Sequence, residues 1–193
     1  GDAAKIITRD TYGGYAFIAV VPKVTAGTLF NGAFELNATA PLKSTRFGEA
    51  YRGTKKPLTF KFTYKYTPGT EFYNTIITGS GMATKVTSEL VPDKTDECSL
   101  TAYLYEVDSY DDHLDGTNIN NSDKVILKAA FNGGIQDSFT EKTINFESTG
   151  KGSFDPANKK YKIAIVCSSS KEGDAYKGAP ESTLWVKSLE ITY

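Results

Sequence analysis

Residues 58–66 run Leu-Thr-Phe-Lys-Phe-Thr-Tyr-Lys-Tyr, placing Leu58, Phe60, Phe62, Tyr64 and Tyr66 on one side and Thr59, Lys61, Thr63 and Lys65 on the other. Alternation this strict serves water and a core at once only as a half-buried strand. Pro68-Gly69 writes the turn that follows. The last segment repeats the pattern, with Trp185, Leu189, Ile191 and Tyr193 opposed to Ser188, Glu190 and Thr192, and Lys187 interrupting the apolar side. Residues 100–107, 125–130, 143–146 and 161–167 also read as strands, several apolar on both faces and therefore central. Residues 15–21 and 28–36 add two more, the second punctuated by Gly32, where a bulge or a close backbone approach is expected. No helical period is sustained anywhere. Roughly eight to ten short strands separated by Gly, Pro, Asn and Asp turns describe an all-β sandwich or barrel.

At 193 residues the chain can bury one full core, so a single domain over residues 1–193 is expected. A hydrophobic share of 39%, a charged share of 23% and a net charge of -1 describe a soluble globular protein rather than a disordered one. Nucleic acid is not an expected partner, because 22 basic residues are offset by 23 acidic ones spread along the chain. The 12 Tyr and 11 Phe suit a pleated surface, and a tyrosine hydroxyl can reach water or a sugar while its ring packs. Cys98 and Cys167 allow one disulfide and no zinc cluster; as strand residues they serve equally well as small buried apolar groups. There is no apolar run of about 18 residues and no signal peptide. The chain opens at Gly1-Asp2-Ala3-Ala4, as one cut from a longer precursor does, which leaves export open.

Four long connections, residues 37–57, 76–97, 108–124 and 168–182, are where a site is to be sought. Between Ser168 and Gly178 lie three serines with Lys171, Glu172, Asp174 and Tyr176, the mixture that sugar recognition uses: charged and amide groups for hydroxyl pairs, an aromatic face for stacking. The plainer alternative is a solvated turn whose serines satisfy backbone groups. A second candidate is Tyr110 with the oxygen-rich run that follows, where Asp111 and Asp115 are possible calcium ligands. The EF-hand pattern fails there, since His113 and Ser122 occupy required ligand positions, leaving a nonstandard calcium loop or an Asx-rich turn. Tyr51-Arg52-Gly53 is the third: Arg52 can hold a carboxylate or a sugar hydroxyl, or simply cover apolar surface. Trp185, on a strand, is expected in the core.

Catalytic motifs are scarce. His113 is the only histidine and no Gly-x-Ser-x-Gly elbow surrounds a serine. A glycosidase needs two carboxylates about 5 to 9 Å apart; Glu106 with Asp108 and Glu172 with Asp174 offer only a spacing that is commonplace in strands and loops.

A set of segments in order along nearly the whole chain carries a family resemblance: Ala26-Gly27-Thr28-Leu29-Phe30-Asn31-Gly32-Ala33-Phe34, Lys56-Pro57-Leu58 with Tyr64-Lys65-Tyr66-Thr67-Pro68-Gly69, Leu104-Tyr105-Glu106, Leu114-Asp115-Gly116-Thr117-Asn118-Ile119, Lys160-Tyr161-Lys162-Ile163-Ala164-Ile165-Val166, and Ser168 to Asp174 with Ser182-Thr183-Leu184-Trp185-Val186. The chain resembles the putative carbohydrate metabolism domain family of secreted Bacteroidetes lipoproteins. That resemblance implies a jelly-roll β-sandwich of two antiparallel sheets, similar to carbohydrate-binding modules. It also implies export to the periplasm or outer-membrane surface, with contact to a membrane only through a lipid anchor. Related jelly rolls often hold calcium through an Asp in the final strand, where Lys187-Ser188 stand here, so a structural calcium is not carried over to that point. The expected function is non-catalytic binding or handling of a poly- or oligosaccharide without a cofactor. Glycoside hydrolysis and structural or adhesive protein interaction are the alternatives.

Overall fold

A computed structural model describes residues 2–11, 13–16, 19–79 and 83–193, and turns the alternating segments into two stacked antiparallel sheets. In chain order the strands are β1 (Ala4–Ile7), β2 (Arg9–Asp10), β3 (Gly14–Ala16), β4 (Ala19–Val21), β5 (Val24–Thr25), β6 (Thr28–Phe30), β7 (Gly32–Phe34), β8 (Thr45–Phe47), β9 (Glu49–Tyr51) and β10 (Thr59–Thr67). They continue as β11 (Phe72–Thr78), β12 (Lys85–Val91), β13 (Cys98–Val107), β14 (Val125–Gly133), β15 (Gln136–Asn145), β16 (Glu147–Ser148), β17 (Lys160–Ser168) and β18 (Thr183–Thr192). One sheet runs β1-β18-β10-β15; the other runs β16-β14-β13-β17-β6, with β9 also pairing β17. The chain passes from β14 across to β15, back to β17 and across again to β18, the connectivity of a jelly roll.

Phe60, Phe62, Tyr64 and Tyr66 of β10 point inward as expected and meet Leu100, Ala102, Ala129 and Cys167 from the opposite sheet in one buried cluster. Leu58 falls short of this face and is 55% exposed, because β10 starts one residue after it. Cys98 and Cys167 are free, buried thiols, and burial raises both to about 12. β13 is buried on both faces, the mark of a central strand. Its outward residues Tyr103, Tyr105 and Val107 pack with Phe47, Leu114 and Ile119 in a second cluster outside the sandwich proper.

The last strand departs from its expected register. Pairing of β10 with β18 shifts between Thr63 and Tyr64, a bulge that places Val186 opposite Tyr64 and Ser188 opposite Thr63. Lys187 is the extra residue, which explains its break in the pattern. Leu184 and Val186 therefore face the interior, and Trp185 sits half-buried on the outer face rather than in the core.

Other strands were hidden from the sequence. β15 extends over Gln136–Asn145, where only its last residues were expected, since most of it is exposed and polar. Residues 76–97 hold most of a β-hairpin, β11 with β12, whose two faces are both partly exposed and so carry little alternation. Of the strand expected over residues 15–21, β3 and β4 form a small antiparallel pair, and Phe17 and Ile18 lie outside the described residues. No helix among the described residues is long and apolar enough to cross a membrane.

Candidate functional site

The segment expected as one strand across Gly32 is two, and the break builds the site. β6 pairs with β17 at Val166–Ser168, and β9 pairs with the same edge at Tyr161–Ile163. Between them Asn31 substitutes its side-chain amide for a strand: Nδ2 donates to the Ile163 carbonyl (2.9 Å) and Oδ1 accepts from the Ile165 N–H (2.6 Å). The backbone is thereby freed to leave the sheet as the β7–β8 ribbon and return at Gly48, whose N–H donates to the Asn31 carbonyl at 2.8 Å. Gly32 permits the departure with φ of 132° and with the Arg46 carbonyl oxygen where a Cβ would stand. The ribbon is tied down by Phe47 N–H to the Leu114 carbonyl and by Gly116 N–H to the Leu42 carbonyl, at 2.8 and 2.9 Å.

The ribbon, the 108–124 connection and the 168–182 connection thus meet over the outer face of the six-stranded sheet and enclose a cavity of about 400 Å³. Its floor is Ser99 and Tyr103 of β13, Val166 and Ser168 of β17 and Phe30 of β6. Phe34, 65% exposed, and Tyr176 supply aromatic surface at its walls. Asp174 is the sole carboxylate and Lys171 the sole cation among its described lining residues.

A hydrogen-bonded chain crosses the cavity. The Tyr103 hydroxyl donates to Asn120 Oδ1 (2.8 Å), and Asn120 Nδ2 donates to Asp174 Oδ2 (3.2 Å). Burial raises the Tyr103 phenol to about 12, so it stays a proton donor throughout the physiological range. Asp174 Oδ1 has no partner among the described residues and is left as an acceptor for a ligand hydroxyl. Tyr176 holds a left-handed conformation (φ 56°, ψ 39°) at the end of the short 3-10 turn Gly173–Ala175, an unfavourable geometry for a residue with a Cβ and one that gathers at ligand sites. Its phenol is raised above the ordinary range by burial.

Beneath the same connection lies a buried polar cluster. Asp96 is fully buried, and its Oδ2 accepts from Ser170 Oγ (2.5 Å), Ala179 N–H (2.8 Å) and Ser182 Oγ (2.9 Å), while Oδ1 accepts from Glu97 N–H (2.9 Å). Thr8 Oγ1 lies 2.7 and 2.6 Å from the hydroxyls of Ser169 and Ser170, and the Tyr66 hydroxyl donates to the Ser169 carbonyl. Desolvation raises the Asp96 carboxyl above its ordinary value, an effect that these donors oppose. Ser169 and Ser170 are therefore buried anchors of the connection rather than part of a solvated turn, and Ser169 satisfies a backbone group as the plainer alternative expects, accepting from the Gly27 N–H at 3.0 Å.

The residues singled out from the sequence separate into three groups. Lys171, Asp174 and Tyr176 line the cavity. Lys171 is ion-paired with Glu97, which raises its ammonium above the usual value, and Glu172 turns away to bind Lys94 at 2.8 Å. Arg52 and Tyr110 meet each other outside the cavity, the guanidinium 4.3 Å from the ring centroid. Tyr51 stacks on Tyr193 at 5.5 Å and donates to the Lys55 carbonyl. Asp115 accepts from the N–H and hydroxyl of Thr117 in an Asx-type turn, and Asp111 donates its N–H to Ser109 Oγ at 3.3 Å. Among the described residues no group of three or more His, Cys, Asp or Glu comes together. The cavity residues missed by the sequence reading are Phe34, Tyr103 and Asn120. Phe34 and Tyr103 fall within expected strands, and Asn120 is one amide in the oxygen-rich run after Tyr110.

The putative carbohydrate metabolism domain matches residues 1–192. The chain belongs to this family. Among solved structures, this putative carbohydrate metabolism domain is similar to a protein from Bacteroides thetaiotaomicron described as a putative glycoside hydrolase, with 31% identity and a TM-score of 0.78 over 99% of this chain and 53% of that one. It is also similar to one from Bacteroides vulgatus with the same description, at 26% identity and a TM-score of 0.73 over 98% of this chain and 72% of that one. The domain thus spans about half the length of the first of these. No curated protein sequence matches it.

Proposed function

We propose that this domain binds an oligosaccharide in the cavity on the outer face of the six-stranded sheet and carries out no bond cleavage there. The observation that carries the reading is the combination in one recess of two aromatic side chains, Phe34 and Tyr176, with the Tyr103–Asn120–Asp174 chain ending in a free carboxylate oxygen. Sugar rings offer apolar faces to the first and hydroxyl pairs to the second. A volume of about 400 Å³ suits a sugar or two rather than a long strand. Export through a lipid anchor to the periplasm or outer-membrane surface belongs to the same proposal, as an implication of the family resemblance.

The hydrolase alternative has support in the descriptions of the two structural neighbours. Against it stands the single carboxylate among the described lining residues of the cavity, where a glycosidase needs two. A glycan array followed by calorimetry on Tyr176→Ala and Asp174→Ala tests the reading. Binding should weaken about 2- to 10-fold on loss of the ring, without release of reducing sugar by the parent protein. Silence across plant, host and bacterial glycans, unchanged affinity in both variants, or turnover that Asp174→Ala abolishes would each overturn it.

A further inference from the structure

The outer face of the four-stranded sheet carries a cluster that the cavity does not use. Trp185 on β18 stands directly opposite Lys5 on β1 and Lys65 on β10. Both ammonium groups lie over its ring, at 5.7 and 4.9 Å from the centroid. The bulge residue Lys187 places its own ammonium 5.5 Å from the ring of Phe139 on β15, which is 43% exposed. Aromatic rings and lysines thus alternate across all four strands, a width of roughly 14 Å at strand spacing.

The three ammonium groups of Lys5, Lys65 and Lys187 have no ion-pair or hydrogen-bond partner among the described residues. Lys61, further along the same face, is different: it pairs with Glu141 at 3.2 Å and stands opposite Glu190. Positive charge is therefore left unneutralised at one end of the sheet of a chain whose net charge is -1. Thr63 and Ser188, bonded to each other at 3.0 Å, add hydroxyls beside the cluster.

We infer that this face binds an acidic polysaccharide, with its carboxylate or sulfate groups on Lys5, Lys65 and Lys187 and its apolar sugar faces against Trp185 and Phe139. Cations set apart by the strand spacing match a polymer that repeats its anionic groups, whereas a single phosphate would need them converged on one point. Rings interleaved with the cations suit sugar faces, which the headgroup layer of an anionic bilayer does not present. The site is independent of the cavity and needs no sugar there.

Affinity electrophoresis in gels containing polygalacturonate, dextran sulfate or neutral dextran tests it, with flotation on phosphatidylglycerol vesicles alongside. The acidic polymers should retard the protein and dextran should not, with retardation falling as salt rises. The triple variant Lys5→Gln, Lys65→Gln, Lys187→Gln should bind at least tenfold more weakly. Lys43→Gln, Lys55→Gln, Lys56→Gln, which removes the same charge elsewhere, should bind as the parent does. The inference is overturned if neither acidic polymer retards the protein, if the two triple variants behave alike, or if vesicles compete as well as the polymers.

Discussion

The two outer faces of the sandwich are built from the same alternating strands and have opposite fates. On the six-stranded sheet the outward residues Tyr103, Tyr105 and Val107 are buried under long connections, and what is left between those connections is a recess. On the four-stranded sheet the outward residues Lys61, Thr63, Lys65 and Trp185 stay at the surface as a flat display. The covering packs Phe47, Leu114 and Ile119 onto that face, and polar contacts fasten it at defined points. Asn31, Asp96 and Lys162, whose ammonium donates to the carbonyls of Tyr110 and Asp112 at 3.3 and 3.0 Å, each fasten a connection to a strand or to its neighbours. A concave site here is therefore a product of apolar packing together with buried hydrogen bonds, and a flat one needs only strand pairing.

That contrast can be broken from the covered side first. Asp96→Ala removes the acceptor of four donors, three of them on one oxygen, and should cost about 3 kcal/mol or more in urea unfolding. Asn31→Ala leaves the Ile163 carbonyl and Ile165 N–H without the amide that spans them, and should cost about 2 kcal/mol and weaken cavity binding with it. The Asp96 carboxyl also predicts a pH dependence. Its folded value lies above the ordinary 3.8, so its ionisation opposes folding. Its contribution is fully present below the unfolded value and is lost as pH rises through the raised folded one. The stability of the parent relative to Asp96→Asn should accordingly fall as pH is raised from about 3.8 in a series of urea titrations. Tyr176→Gly relieves the left-handed backbone and should gain about 0.5 to 1 kcal/mol while losing ring-dependent affinity, separating strain from stability. On the bare face, Lys65→Gln with Lys187→Gln should move stability by less than about 0.5 kcal/mol.

The same division governs what could be read from the sequence. β10 was legible because one side of it meets oil and the other water, and the central strands because both sides are apolar. The family resemblance, carried by segments spread along the chain, held over residues 1–192. β15 and the β11–β12 hairpin were not legible, since exposure on both faces leaves no period to find. Trp185 was misplaced by one unpredictable event, the bulge at Lys187, after which every residue toward the start of β18 changes sides. For the site, the chemistry of the Ser168–Gly178 connection singled out Lys171, Asp174 and Tyr176, but Ser170 turned inward to a carboxylate 74 residues away. Asn120 and Phe34 reach the cavity only through tertiary folding, which spacing along the chain does not record.

Asn31 carries a consequence for how such domains diversify. Because a single amide completes the edge of β17, the excursion between Gly32 and Phe47 is grafted onto a finished scaffold rather than woven into it. The register of β6 and β9 on β17 is set on either side of the excursion and by the amide itself, not by the residues within it. A lineage that keeps this asparagine can reshape its recess without rebuilding the edge of the sheet.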